Sequence, residues 1–261
     1  MIDCPVDVTA GLRGTPVFRA LPDDVLHRLA QDAQVLTLSR SDMLFHRGQP
    51  CEGLHVLLQG QAKVYARVDK AQDGGQDKCQ EKVIEVVTAP ACLGESMLSG
   101  EVDHRVHAAM LSDGVVLLLP RASVMRELQD SPALAVQLLA DVSGRLNRMV
   151  HDIEAVTLHS AAQRVVAYLL HHRAAETLVT AAPLRGRVPA HGATRAVTGQ
   201  PPPPSECTVS LPASKGTIAS LLSVTPEHFS RILHDLQARG LIAVNRRQIH
   251  IPDVARLACL A

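Results

Sequence analysis

The chain has 261 residues, 46% of them hydrophobic and 20% charged, enough for two globular domains of ordinary size. Basic and acidic residues number 26 each, so bulk charge singles out neither nucleic acid nor a membrane surface, and any basic patch must be local. The longest apolar run, VVLLLP at Val115–Pro120, is strand-sized and far short of the roughly 18 residues a membrane span needs.

The N-terminus, MIDCPVDVTAG, lacks a basic segment followed by an apolar one, so no signal peptide is expected and the cytoplasm is the expected location. Aromatic residues make up 2% and Trp is absent, which leaves Leu, Val, Ile and Ala to build the core. The cysteines Cys4, Cys51, Cys79, Cys92, Cys207 and Cys259 form no CxxC pair. That spacing argues against a zinc ribbon or a tight iron–sulfur loop and fits idle thiols in a reducing compartment.

From Thr15 to about Leu128 the pattern is one of short β runs separated by Gly and polar turns. MLFHRGQPCEGLHVLLQGQAKVYARV alternates around Gly48, Gly53 and Gly60, and KVIEVV and GVVLLLP continue it. Such a series of short strands predicts an antiparallel barrel or sandwich over residues 15–130. The polar stretch DKAQDGGQDKCQEK reads as a hairpin tip.

A long helix is expected over 131–159, with Ser131 as cap and Pro132 in its first turn. Along it Leu139, Val142, Leu146, Met149, Ile153 and Val156 are spaced 3, 4, 3, 4, 3, a heptad seam. The seam either lies on the chain's own barrel or pairs with a second copy. Asp141, Arg145, Arg148, Asp152 and Glu154 beside it narrow the stripe and favour a parallel homodimer. Ser160 and Gln163 form a capping box that ends this helix and starts another, a natural hinge. Residues 173–207, ending in PPPP at Pro201–Pro204, read as a flexible or polyproline insertion, where a Pro-binding partner is one possible role.

The final segment, to residue 256, carries the densest signals. Ser214 caps a short helix, SVT forms a tight turn, Thr225 caps a second helix begun by Pro226, and Gly240 ends it. The strands of LIAVNRRQIHI turn at Asn245-Arg246-Arg247-Gln248, making a winged helix-turn-helix over 160–256. In TPEHFSRILHDL, Phe229, Ile232, Leu233 and Leu236 form an inward face, while Glu227, Ser230, Arg231 and His234 repeat the same spacing opposite. An ordinary solvated face would look similar. In a major groove, however, Arg231 is equipped to give two hydrogen bonds to guanine and Glu227 to accept from cytosine. Thr225, His228 and Lys215 lie beside them, and Lys215, Arg246 and Arg247 are placed to hold phosphates. From residue 205 onward six Lys/Arg face four Asp/Glu, so placement matters more than net charge.

This order resembles the Crp/Fnr superfamily of transcription regulators over nearly the whole chain. The resemblance implies an α+β chain with an N-terminal cyclic-nucleotide-binding-like β-roll (jelly roll), a dimerisation helix and a C-terminal winged helix-turn-helix. It implies a homodimer on double-stranded DNA, with RNA polymerase as a further partner. EHFSR fits the E-x-x-S-R recognition pattern of Fnr-like members, which implies TTGAT-like inverted repeats. DIEAVTLHSAAQRVVAYLL and TPEHFSRILHDLQARGLI look most like the Dnr branch, the nitric-oxide-responsive regulators of denitrification, which are linked to heme.

An Fnr-type iron–sulfur cluster is not expected, because only Cys4 lies near the N-terminus. Cyclic-nucleotide relatives carry Gly-Glu followed ten residues later by Arg and then Ser or Thr. Here Gly94-Glu95 and Arg105 are present, but Val106 follows, and Met149-Val150 stand where polar base-binding residues are expected. Gly94, Glu95 and Arg105 are therefore the candidate effector residues, with a Glu95–Arg105 salt bridge as the alternative. No histidine precedes His27, which leaves His46, His55, His104, His107, His151, His159 and Cys4 as candidate heme ligands without an identified pair. A cupin-like metal enzyme is the remote alternative, but no H-x-H pair, phosphate loop or nucleophile elbow supports catalysis.

Overall fold

The computed structural model describes residues 6–70, 78–99, 103–180 and 206–260, and the chain divides into two compact units, residues 1–154 and 155–261. The first opens with α1 (Val8–Gly14) and α2 (Asp23–Asp32), not with strands as the turn pattern suggests. The reason is local: Asp7 caps α1 through its side chain, and α2 starts after Pro22 with Asp23 and Asp24 in its first turn, where acids suit the helix dipole. Val25, Leu26 and Leu29 then bury one face.

Eight strands follow: β1 (Gln34–Leu38), β2 (Met43–Phe45), β3 (Gly53–Gln59), β4 (Gln61–Lys70), β5 (Lys78–Thr88), β6 (Ala91–Leu93), β7 (His107–Met110) and β8 (Gly114–Pro120). They form two antiparallel four-stranded sheets, ordered β1-β8-β3-β6 and β2-β7-β4-β5, the roll expected from the sequence. Leu44, Phe45, Leu57, Val87, Met110 and Val116 fill one core of the roll. A second core joins Leu12, Phe18, Leu26 and Leu29 of the N-terminal segment to Leu54, Leu117 and Leu119 of the strands. The three phenylalanines of the chain, Phe18, Phe45 and Phe229, are all buried, so the scarce aromatics are spent where they displace most water. Gly53 has no alternative at its position, because a β-carbon there would run into the Leu119 carbonyl on β8.

Two further helices close the unit. In α3 (Arg121–Asp130), the buried Glu127 accepts two 2.8 Å bonds from Arg28 of α2, and Ser123 donates at 2.6 Å to Asp32. The Ser123 hydroxyl and Arg126 hold the Asp32 carboxyl below its usual range. The long helix α4 (Pro132–Leu158) begins at Pro132 as expected, with the Leu134 N–H on the Ser131 carbonyl at 3.1 Å.

The second unit starts within α4, at its last four residues. The Ser160 capping box is present: the Ser160 N–H donates to Gln163 Oε1 at 3.0 Å and the Gln163 N–H to Ser160 Oγ at 3.3 Å. It opens α5 (Ala161–Thr180). The helix thus runs through 173–180, the first part of the expected flexible insertion, where Ala174, Ala175, Glu176 and Leu178 are good helix formers. The PPPP tract lies outside the described residues. At its other end the insertion yields β9 (Cys207–Ser210), followed by α6 (Lys215–Leu221), α7 (Pro226–Ala238), β10 (Ala243–Asn245), β11 (Gln248–Ile251) and α8 (Val254–Ala258). The wing is therefore a three-stranded antiparallel sheet, β10-β11-β9, and not the two strands read from the sequence. Among the described residues no helix is long and apolar enough to cross a membrane.

Candidate functional site

Helix α7 is built from both ends. Thr225 Oγ1 accepts from the His228 N–H at 3.2 Å, Pro226 fills the first position, and Glu227 adds an acid to the first turn. At the far end the Gly240 N–H donates to Gln237 O at 2.9 Å and the Leu241 N–H to Leu236 O at 3.0 Å, with Gly240 at φ +67°. That pair of bonds is the Schellman closure, and Leu241 and Leu236 are both buried beside it. Phe229, Ile232, Leu233 and Leu236 are buried, whereas Glu227, His228, Ser230, Arg231 and His234 are exposed. The two faces fall where the spacing put them.

The neighbouring α6 carries Lys215 at its first position behind the Ser214 cap, whose Oγ accepts the Thr217 N–H at 3.1 Å. Its end repeats the closure of α7: Ser223 N–H to Ser220 O at 3.1 Å and Val224 N–H to Ala219 O at 3.0 Å. Here the left-handed residue is Ser223 at φ +56° instead of glycine, a conformation that costs roughly 1–2 kcal/mol in an L-residue. Arg246 at the wing tip is similar at φ +54°, with Arg246 and Arg247 both exposed. The Leu211 N–H donates to Arg247 O at 2.8 Å and the Val244 N–H to Gln237 Oε1 at 3.2 Å, fixing the wing to its own base and to α7. All eight residues expected to meet DNA thus lie on α6, α7, their caps or the wing tip. Sequence reasoning missed Arg164 of α5, whose side chain reaches the turn between α6 and α7.

The first unit places its expected effector residues less closely together. Gly94 adopts φ +90°, and a β-carbon there would press on Gly53 O at 3.2 Å and His55 Nδ1 at 3.3 Å. Glu95 begins a short 3-10 helix, and its carboxylate meets Arg145 of α4, not Arg105: Arg145 Nη1 donates to Glu95 Oε2 at 3.1 Å. Arg145 Nη2 also donates to Cys92 O at 2.7 Å, and Glu85 and Asp141 lie 3.7 and 3.9 Å from the same guanidinium. Asp141 and Arg145 face the roll because they continue the helical row of the buried Leu134 and Leu138, one and two turns further along. Their reading as flanks of the seam is thus corrected. Burial raises the Glu95 carboxyl to about 7, against the pull of Arg145. Arg105 is exposed in the loop before β7. A cavity of about 250 Å³ adjoins this ion cluster, bounded by β5, α4 and residues 15–17.

The seam residues Leu139, Val142, Leu146, Met149, Ile153 and Val156 are 37–68% exposed in the single chain. Val136 and Val150 widen the apolar strip.

Of the candidate heme ligands, His55 and His104 are buried inside the roll with ring centroids 6.4 Å apart, and Phe45 stacks on His104 at 3.8 Å. Burial, then His104, lowers His55 to about 4, so it is neutral at physiological pH. His46 and His107 approach edge to face at 6.0 Å. His151 and His159 are exposed, and Cys4 lies outside the described residues. Among the described residues no group of three or more His, Cys, Asp or Glu is placed to hold a metal ion. The cavity beside α4 has no histidine among its described lining residues.

A roll with an ion pair reaching into a long helix, a helix with an exposed apolar seam and a capped helix-turn-helix with a basic wing define a DNA-binding regulator with a sensory domain. Comparison with known proteins gives the same class. A cyclic nucleotide-binding domain family matches residues 35–131 and a Crp-like helix-turn-helix domain family residues 163–260. The global nitrogen regulator of Synechocystis sp. is 24% identical over 247 residues, covering 93% of this chain and 92% of that protein. The CRP-like cAMP-activated global transcriptional regulator of Mycobacterium tuberculosis is 21% identical over 242 residues, covering 93% and 94%. The structure of FixK2 from Bradyrhizobium japonicum shares the fold, with a TM-score of 0.64 at 21% identity over 87% of this chain and 96% of that one. The chain belongs to the Crp/Fnr family of transcription regulators, and the relatives give no support to a cupin-like enzyme.

Proposed function

We propose that the protein is a cytoplasmic, homodimeric, effector-controlled regulator that binds TTGAT-like inverted repeats and acts through RNA polymerase. The observation that carries the reading is α7, a doubly closed helix presenting Glu227, Ser230 and Arg231 on its open face while Phe229 and Leu233 anchor the other. Such a helix enters the major groove with its N-terminal residues toward the bases. Arg231 then selects one G·C pair by two bonds, Glu227 accepts from a cytosine beside it, and Arg246, Arg247 and Lys215 hold phosphates. Two such readers in a dimer require half-sites about one helical turn apart.

Selection on randomised operators with the full-length protein tests this. Arg231→Ala should cost about 1–3 kcal/mol per half-site and relax one position, whereas Arg247→Ala should weaken all sequences alike and lower the salt slope by about one. If Arg247→Ala changes the base preference and Arg231→Ala does not, α7 is not the reader.

For the signal, we propose nitric oxide or redox status sensed through heme, a reading that rests on the Dnr-like motifs alone. When bound, heme would supply the diatomic-gas ligation that this chain's side chains lack. A Soret band that appears on reconstitution, shifts with nitric oxide and accompanies tighter DNA binding supports it. The second reading, a cyclic nucleotide, is favoured by Gly94 and Glu95 on the roll. Calorimetry with cyclic AMP decides for it if cyclic AMP alone binds and activates.

A further inference from the structure

Arg164 is the fourth residue of α5, and its guanidinium reaches three main-chain carbonyls on two separate segments. Nη1 donates to His159 O at 2.8 Å, at the joint between α4 and α5. Nε donates to Leu222 O at 3.0 Å and Nη2 to Ser223 O at 3.4 Å, both in the turn between α6 and α7. Carbonyls at a helix end have no partner within their own helix and must find one elsewhere. A planar guanidinium with donors on three nitrogens spans such a set, and a lysine ammonium on a single flexible stem does not. The turn so held is the one in which Ser223 sits in the left-handed region. Two residues later Thr225 caps α7, so the carbonyls that Arg164 holds are directly upstream of the DNA-reading turn.

We propose that Arg164 is a positioning residue for DNA recognition: it locks the joint at the end of α4 to the α6–α7 turn, so that α7 moves with that joint as one body. The proposal rests on the reading of the protein as a dimer on an inverted repeat. On such an operator the separation of the half-sites matches the separation and angle of two recognition helices. A clamp that fixes each α7 to its joint therefore narrows the range of separations the dimer accepts, without touching a base.

The test uses full-length wild type, Arg164→Lys and Arg164→Ala, each shown by circular dichroism to be folded at the assay temperature. Should Arg164→Ala melt there, Arg164→Lys carries the test, since it keeps the charge and stem and loses the fork. Binding is measured to inverted repeats whose half-site separation changes one base pair at a time. Wild type should show a sharp optimum, with at least a tenfold loss one base pair to either side. Both variants should flatten this to less than threefold while keeping the same base preference inside each half-site. Equal weakening at every separation, with the profile unchanged, assigns Arg164 a merely structural role and overturns the proposal.

Amide hydrogen exchange supplies an arm that needs no DNA. Arg164→Ala should speed exchange at least tenfold in 160–163 and 222–225 together, while the amides of 229–236 keep their protection. Unchanged exchange in either segment also overturns the clamp. A wild-type protein without any optimum of separation sinks the inverted-repeat reading instead, and the exchange result then decides the clamp by itself.

Discussion

Replacing Glu95 by glutamine should make the roll less sensitive to pH in one defined direction. Burial lifts the Glu95 carboxyl from an ordinary 4.5 to about 7, although Arg145 lies 3.1 Å away. A carboxyl whose folded pKa is raised binds its proton more tightly in the folded state. Its contribution is therefore complete below pH 4.5 and disappears as pH rises through 7. A rise from 4.5 to about 7 corresponds to about 3 kcal/mol between those limits. His55 works in the opposite sense: its folded pKa is lowered to about 4, so its contribution is present above 6.5 and lost on acidification. The two slopes overlap, and only a difference between variants separates them. The glutamine side chain does not titrate and leaves His55 in place. The stability of Glu95→Gln minus that of wild type should therefore grow by about 3 kcal/mol from about pH 4.5 to about pH 8. Urea unfolding followed by tyrosine emission measures it. The chain has no Trp and two Tyr, Tyr65 in β4 and Tyr168 in α5, so a Tyr168→Phe background makes the signal specific to the roll. A difference that is flat with pH, or that shrinks as pH rises, would refute the buried, proton-retaining Glu95.

Other outcomes follow from single contacts. Val142→Glu with Met149→Glu places four like charges in a paired seam and should give monomers by sedimentation that no longer bind a palindrome; an intact dimer would mean that another surface pairs the chains. Arg28→Ala strips the buried Glu127 of both its 2.8 Å bonds and should lower the urea midpoint of the roll, with Arg126, 3.9 Å away, compensating only in part; an unchanged midpoint would show that Glu127 is not held as a charge by Arg28. Ser223→Gly removes the side chain from a left-handed position and should stabilise the C-terminal unit by up to about 1 kcal/mol in thermal melts; a loss would show that the side chain contributes more than its backbone conformation costs.

The C-terminal reader was legible because its signals are local. A cap, a first-turn proline, a 3.6-residue period and a closing glycine each act within four residues, and in α7 all four coincide. The third wing strand was missed because the alternation of Cys207, Val209 and Leu211 was absorbed into a proline-rich neighbourhood, and its partner β11 lies some forty residues away. The N-terminal helices were missed because helices of only seven and ten residues leave little periodicity to count. Arg164 gave no signal at all: nothing in SAAQRVV says that its side chain ends on carbonyls 58 and 59 residues further on.

Glu95 meets Arg145 and not Arg105, its alternative partner in the sequence, for an instructive reason. Helix α4 has two working faces, one carrying Leu134, Leu138, Asp141 and Arg145 toward the roll and one carrying Leu139, Val142, Leu146 and Met149 outward. A heptad count finds the outward seam and assigns every charge beside it to the solvent. Arg145 is instead held by Glu95, Cys92 and Asp141, and Leu146 is its immediate neighbour in the chain. Because successive helical residues are rigidly about 100° apart, any rotation of α4 that withdraws Arg145 from Glu95 carries Leu146 and the seam through the same angle.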